Sequence, residues 1–343
     1  MSQESKQIVS IQILRGIAAW LVVYHHYSQA FFSWDMSNSI FGTWSGDILR
    51  YYGKLGVDIF FVISGFIIYL SAQKAASAKV FIKNRLYRVI PPYWFYTLLL
   101  LFLSFFIPDS ISSDWTIISI IKSLLFIYHE NPSPILGGYP YLTVGWTLNF
   151  EVLFYILCMA SMFLFKKNWH IAIIILLLFS REIWPFESMS YFFESKYIRE
   201  FGWGIIIGLL YTKNLLKINN RVSFFALIAS IGFFAMGGAQ ENKILAIVLL
   251  VTSLLMYDGK LLNKKPFSYL VKLGDYSYST YLVHAAVSIP ICIHFFSPDS
   301  YYHNDFGLFL VYTSLTLSLS YLSYNYIEHS FAKYIKSRTL QIS

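Results

Sequence analysis

The sequence predicts an all-α fold, a polytopic integral membrane protein with about ten transmembrane helices, on three observations. Hydrophobic residues make up 57% of the 343 and charged residues only 13%, where a soluble chain carries about 25% charged residues. Apolar runs close to the ~20 residues that cross a bilayer recur along the whole chain and are joined by short polar loops. They leave no stretch able to build a separate soluble core, so residues 1–343 read as a single membrane domain. Finally, the basic residues lie at the ends of the runs rather than on one polar element. The net charge of +8 is therefore topological, and no nucleic-acid partner is expected.

In chain order the runs are 9–30, 55–72, 92–107, 142–165, 171–184, 199–212, 222–238, 243–258, 276–297 and 306–327. With the N-terminus in the cytoplasm, the outer side holds Arg50, Lys54, Lys122, Arg181, Lys196, Arg199 and Lys243, leaving 19 of the 26 basic residues inside. That asymmetry follows the positive-inside rule and puts both termini in the cytoplasm. The first run leads to a histidine pair rather than a cleavage site, so it is expected to stay as an anchor. Aromatic residues, 20% of the chain, collect at run ends such as Tyr93, Trp94 and Tyr191, Phe192, Phe193, which suits interfacial belts. The longest polar stretches, 31–54 and 108–141, fall on the outer side, and the second, rich in Pro and Gly, is expected to be an ordered loop able to cover a site. Cys158 and Cys292 lie inside apolar runs and imply neither a disulfide nor a metal site.

Ionisable groups at bilayer depth are costly and usually face a bundle interior or a wet cavity. In the first run Arg15 and His26 lie about 16 Å apart along a helix and about 20° apart around it. His25 is turned about 80° from Arg15. Two readings stand for this pair: a shared polar face with a chemical role, or a snorkelling arginine and a hydrogen-bonded structural histidine. In the second run Asp58 suits either the orientation of a histidine or a structural ion pair, while Ser64 and Gly65 suit close helix approach.

Lys83, Arg85 and Arg88 precede a run that opens on Pro91 and Pro92. Arg85 and Arg88, three apart on a short helix, can converge on one anion, or can act as an ordinary positive-inside anchor. Glu151 lies two to three turns inside the fourth run, at the depth expected for Asp58 and His26, where packing alone does not explain an acid. Tyr278 and His284 interrupt the ninth run and suit a structural or acceptor-lining role. Zinc-protease, phosphate-loop and dinucleotide-binding motifs are absent, which removes support for metalloprotease, ATPase and dehydrogenase functions.

The segments RGIAAWLVVYHH, GVDIFFVISGFII, RLYRVIPPYW, GWTLNFEVLFYI, YSYSTYLVH and YNYIEHSF resemble, in the same order, the membrane acyltransferase-3 family of bacteria. The resemblance covers residues 9–331. It implies an O-acyltransferase of the bacterial inner membrane that acetylates surface carbohydrate such as O-antigen, capsule or exopolysaccharide. Acetyl-CoA, or another acyl-CoA, is implied as donor substrate, with no bound cofactor or metal. Its implied partners are acyl-CoA, a lipid-linked or surface glycan and the bilayer. By the resemblance, Arg15 and His26 match the arginine-to-histidine motif of the first helix, Arg85 and Arg88 the paired arginines associated with the donor, and Asp58 and Glu151 recurrent acids of the second and fourth helices. The expected site is His26, Asp58 and Glu151 for catalysis, Arg15, Arg85 and Arg88 for acyl-CoA, and, from the residues themselves, Trp146, Tyr278 and His284 lining the acceptor. The last motif departs from the family pattern, with His329 and Ser330 after Glu328 where arginine and proline are common. No fused extracytoplasmic domain is expected. The rival reading is a transporter or flippase of a lipid-linked sugar or acyl group, in which buried charges line a path and no bond is made.

Overall fold

The computed structural model describes residues 8–31, 48–184, 189–237, 240–257, 259, 262, 264–296 and 305–330. Both chain termini and most of the 31–54 stretch, with their expected sides of the membrane, lie outside these residues. Among the described residues the regular structure is entirely helical. The main helices are α1 (Val9–Phe31), α2 (Leu55–Lys74), α3 (Ala78–Ser104), α4 (Ile117–Leu124), α5 (Trp146–Phe165), α6 (Trp169–Leu178) and α7 (Lys196–Thr212). They continue with α8 (Asn220–Met236), α9 (Gln240–Met256), α10 (Lys265–Asp275), α11 (Ser277–Val283), α12 (Ile289–Phe295) and α13 (Asp305–Ser323).

Every expected apolar run carries helix. By length and composition, five helical stretches among the described residues can cross a membrane: Leu49–Lys74, Ala78–Ser104, Thr143–Leu178, Ser277–Phe295 and Phe306–Glu328. The expectation of a short helix followed by a proline-initiated span is corrected. α3 begins at Ala78 and runs through Pro91 and Pro92, so Arg85 and Arg88 share one helix with the apolar run. Two prolines remove two ladder hydrogen bonds, yet in apolar surroundings a helix still satisfies the remaining backbone better than any open alternative. The expected run 171–184 is likewise divided, since α6 stops at Leu178 and Ser180–Ile183 forms its own turn.

The chain divides into two compact units, residues 1–18, 57–83 and 153–274, and residues 19–56, 84–152 and 275–343. The first unit is held by close helix approaches. A Cβ on Gly65 of α2 meets the Phe201 carbonyl and comes within 2.9 Å of the Gly204 Cα on α7. A Cβ on Gly16 comes within 2.9 Å of the Gly274 nitrogen. Small residues let backbones pack where lipid supplies no hydrophobic drive between helices. Beside these crossings the Phe154 and Phe201 rings stack at 4.1 Å. α8 and α9 form an antiparallel pair tied by serines: Ser223 Oγ donates to the Ser253 carbonyl and Ser253 Oγ to the Ser223 carbonyl, each at 2.9 Å.

The second unit builds its core from Val23 and Tyr27 of α1, Cys292 of α12 and Tyr312 of α13, all fully buried. The Tyr27 and Tyr312 rings lie 5.0 Å apart, and the Tyr312 hydroxyl donates to the Val23 carbonyl at 3.3 Å. Between α11 and α12 the residues His284–Ser288 widen into a π-turn. Pro290 follows it, and having no N–H it cannot close the regular bond to Ala286. π-turns of this kind recur at functional sites.

Candidate functional site

The π-turn starts at a fully buried histidine, His284. The ring Nδ1 of His284 lies 3.0 Å from the carbonyl of Thr280, one turn back on α11. The same carbonyl receives the His284 backbone N–H, so both of its lone pairs are used. On the other edge of the ring, His284 Nε2 lies 2.9 Å from His26 Nδ1 of α1. The two imidazoles are only 13° from coplanar, with centroids 5.1 Å apart, the geometry of rings joined edge to edge through their nitrogens.

These contacts determine where the protons sit. A carbonyl only accepts, so His284 Nδ1 carries hydrogen, and the neutral ring presents an acceptor at Nε2. His26 Nδ1 must then be the donor, which leaves His26 Nε2 with a lone pair and no proton. His26 is partly exposed rather than sealed in the core. His25 points elsewhere: a Cβ on Gly53 would come within 2.7 Å of the His25 Cβ, so this ring's base packs against the turn after Ile48–Tyr52.

Around His284 the second unit assembles a polar layer. The ring of Tyr281 lies 5.8 Å from that of His284, and its hydroxyl donates to the Val144 carbonyl at 2.8 Å. Thr147 Oγ1 is 2.8 Å from the same hydroxyl. Glu151, one turn further along α5, is close enough to act electrostatically on Tyr281. Trp146 opens α5 and meets Phe150 edge-on at 5.9 Å. The Tyr278 hydroxyl donates to the Val89 carbonyl at 2.7 Å, which ties α11 to α3 beside Arg88. Arg88 is exposed and Arg85 partly buried. Arg88 acts electrostatically on Tyr324 of the closing motif, and Glu328 of that motif accepts from Ser279 Oγ at 3.0 Å. From Tyr278 to His284 is about 9 Å of helix rise, so α11 meets α3 beside Arg88 at one level and His26 about 9 Å further along.

Of the residues expected to form a site, the second unit thus gathers His26, His284, Glu151, Trp146, Tyr278, Arg85 and Arg88. Arg15 and Asp58 belong to the first unit. Arg15 Nη1 donates to Gln12 Oε1 at 2.8 Å. Asp58, 2% exposed, is ion-paired with Lys196 of α7, and both act electrostatically on Glu200, 1% exposed and one turn after Lys196. Lys196 and Glu200 were not among the expected site residues, although their four-residue spacing puts them on one helix face. His284, expected in a structural or acceptor-lining role, has its ring as the hydrogen-bond partner of His26.

Residues 8–325 match the family described as an acyltransferase domain. The chain is similar to the exopolysaccharide production protein ExoZ of Rhizobium meliloti (strain 1021), 31% identical over 256 residues that cover 69% of this chain and 77% of that protein. No solved structure matches the chain. A helical membrane protein with six ordered motifs and a family match over nearly its whole length leaves one assignment: the chain belongs to the membrane acyltransferase-3 family.

Proposed function

We propose that the protein is a membrane O-acetyltransferase that moves an acetyl group from acetyl-CoA to a hydroxyl of exopolysaccharide or another surface carbohydrate. The observation that carries this reading is the chain from the Thr280 carbonyl through His284 to His26, which sets the His26 tautomer. In the reaction His26 Nε2 takes the proton of a sugar hydroxyl as that oxygen attacks the thioester carbonyl. The tetrahedral intermediate then collapses, the carbon–sulfur bond breaks, and the imidazolium returns the proton to the CoA thiolate. Such general-base work contributes about 10²–10⁴-fold in rate. His284 Nε2 accepts from His26 Nδ1–H throughout and steadies the imidazolium. Glu151, on the Tyr281 side of His284, supplies the compensating negative charge.

Arg85 and Arg88 hold the donor phosphates, since guanidinium forks suit phosphate oxygens, and the pantetheine arm runs along α11 to the histidine level. Arg15 is assigned to the donor side as well, and Trp146 to the acceptor. Asp58, engaged by Lys196, is a charge partner within the first unit. The architecture we infer is about ten spans with both termini in the cytoplasm of a bacterium, the arrangement that gives the basic-residue asymmetry. Radiolabelled acetyl-CoA supplied to the purified protein in vesicles tests the reaction. Label on the glycan, with CoA released only when acceptor is present, is the expected result. Label that crosses the vesicle wall without becoming bonded to sugar overturns it and favours a transporter.

A further inference from the structure

The stretch 108–141, expected to be a loop outside the membrane, contains a helix whose polarity is reversed. α4 leaves Ile117, Ile118 and Ile121 exposed at 73%, 67% and 51%, followed by Leu125 at 57%, all along one face. Its buried face carries Ser119 and Ser123, at 5% and 1%, with Ile120 beside them at 8%, so three of the four isoleucines point outward. A helix lying on a protein in water does the opposite, putting the isoleucines inward and the serines out.

The helix ends are closed by protein rather than left for water. At the start, Thr116 and Ser119 form a reciprocal capping box, with Ser119 N donating to Thr116 Oγ1 at 3.1 Å and Thr116 N to Ser119 Oγ at 2.8 Å. At the end, the Leu124 carbonyl accepts from Trp94 Nε1 at 2.8 Å and the Ser123 carbonyl from the Tyr93 hydroxyl at 3.3 Å. In hydrocarbon, helix termini have no water to turn to and need such partners.

The same bonds locate α4 along α3. The chain leaves the end of α3 at Phe105, whose ring meets Trp115 at 5.9 Å just before α4. The end of α4 is bonded to Trp94, eleven residues and roughly 16 Å back along α3. The segment therefore re-enters the layer that α3 has just crossed. α3, long and apolar enough to span a membrane, likewise exposes Leu98 and Phe102, and Phe105 and Phe106 are exposed just after its end.

We propose that residues 117–125 form the lipid-facing part of a re-entrant membrane segment, whose Ile117, Ile118, Ile121 and Leu125 side chains contact the acyl chains of one bilayer leaflet. The inner side of the segment supports the polar layer of the second unit. Tyr93, bonded to Ser123, fills the space a Cβ on Gly145 would take, and Gly145 follows the Val144 carbonyl held by Tyr281. The proposal is independent of the acyl-transfer reaction and of the sidedness of the chain.

The test is a nitroxide label on Ile118→Cys, with Ile135→Cys as the comparison site, in vesicles of phosphatidylethanolamine and phosphatidylglycerol. Cys158 and Cys292 are changed to Ala in both proteins so that only one thiol remains. Ile118 and Ile135 are both exposed, at 67% and 79%, so neither label disturbs a core. Oxygen, which concentrates in hydrocarbon, is expected to relax the Ile118→Cys label more strongly than a water-soluble nickel chelate does. Dominance of the nickel chelate at Ile118→Cys, matching or exceeding its effect at Ile135→Cys, overturns the proposal in favour of a water-facing loop. Weak relaxation by both agents also overturns it, because the face is then covered by protein.

Discussion

Replacing His284 by Leu separates positioning from catalysis at the histidine pair. The variant keeps a buried apolar side chain but leaves His26 Nδ1–H without its acceptor at 2.9 Å. The Thr280 carbonyl is still served by the backbone N–H of residue 284, so one part-buried donor, not two groups, is orphaned. That costs about 1–3 kcal/mol of stability. The tautomer bias lost is that of one hydrogen bond, about 0.5–1.5 kcal/mol, or up to roughly tenfold in the population of the productive form at about 1.4 kcal/mol per tenfold. Weaker support for the imidazolium adds to this, so kcat should fall about 10–100-fold, below the full loss of about 10²–10⁴-fold expected on removing the base itself. KM for acyl-CoA should change little, because the arginine level is untouched. His284→Gln offers an amide oxygen to the same donor and should recover most of the rate. The assay is acceptor-dependent CoA release by purified protein, each variant checked for thermal stability. A His284→Leu enzyme with wild-type kcat, or a His284→Gln enzyme no better than His284→Leu, refutes the positioning argument.

Three further outcomes are expected. His26→Ala should abolish acylation of surface glycan, read by mass spectrometry at matched membrane abundance, while His25→Ala, which alters the side packed against Gly53, keeps substantial activity; a surviving acyl mark in the His26 variant removes the mechanism. Changing Arg85 and Arg88 together to Gln should weaken acyl-CoA binding in a titration of the purified protein without blocking membrane insertion, since neutral amides lose the charge-assisted forks; unchanged affinity returns both residues to an anchoring role. Gly65→Leu should lower the thermal midpoint in detergent by the equivalent of about 1–3 kcal/mol or more, because its Cβ meets the backbone of α7, whereas Gly232→Ala, with nothing within 4 Å of the new Cβ, should be neutral or stabilising. Equal midpoints for the two glycine variants contradict the close-approach account.

Much of the fold is written in local chemistry. Hydropathy averaged over about twenty residues reports burial in lipid regardless of neighbours, so each apolar run was legible as helix. The unusual residues were legible too: Arg15, His26, Asp58 and Glu151 stand out because ionisable groups at bilayer depth are rare. Helix arithmetic turned His25 about 80° away from Arg15 and His26 only about 20°. Boundaries were less legible where two local rules compete. Pro91 and Pro92 signal a helix start in water, but α3 passes through them because apolar surroundings penalise an open backbone more than two missing bonds.

What the tertiary structure alone decided is which faces meet. His26 and His284 lie 258 residues apart in the chain, and nothing in either run announces that their nitrogens share a proton. Azimuth on one helix says where a side chain points, not what stands opposite. For the same reason Lys196 and Glu200 looked like ordinary members of a weak span until α7 brought them to Asp58. α4 is a third case: its eight residues are too few to register as a membrane run. Only the bonds from Tyr93 and Trp94 to its last carbonyls turn an apparent outer loop back into the layer. Local polarity thus determined the solvent of each segment, and long-range packing determined the partner of each polar group.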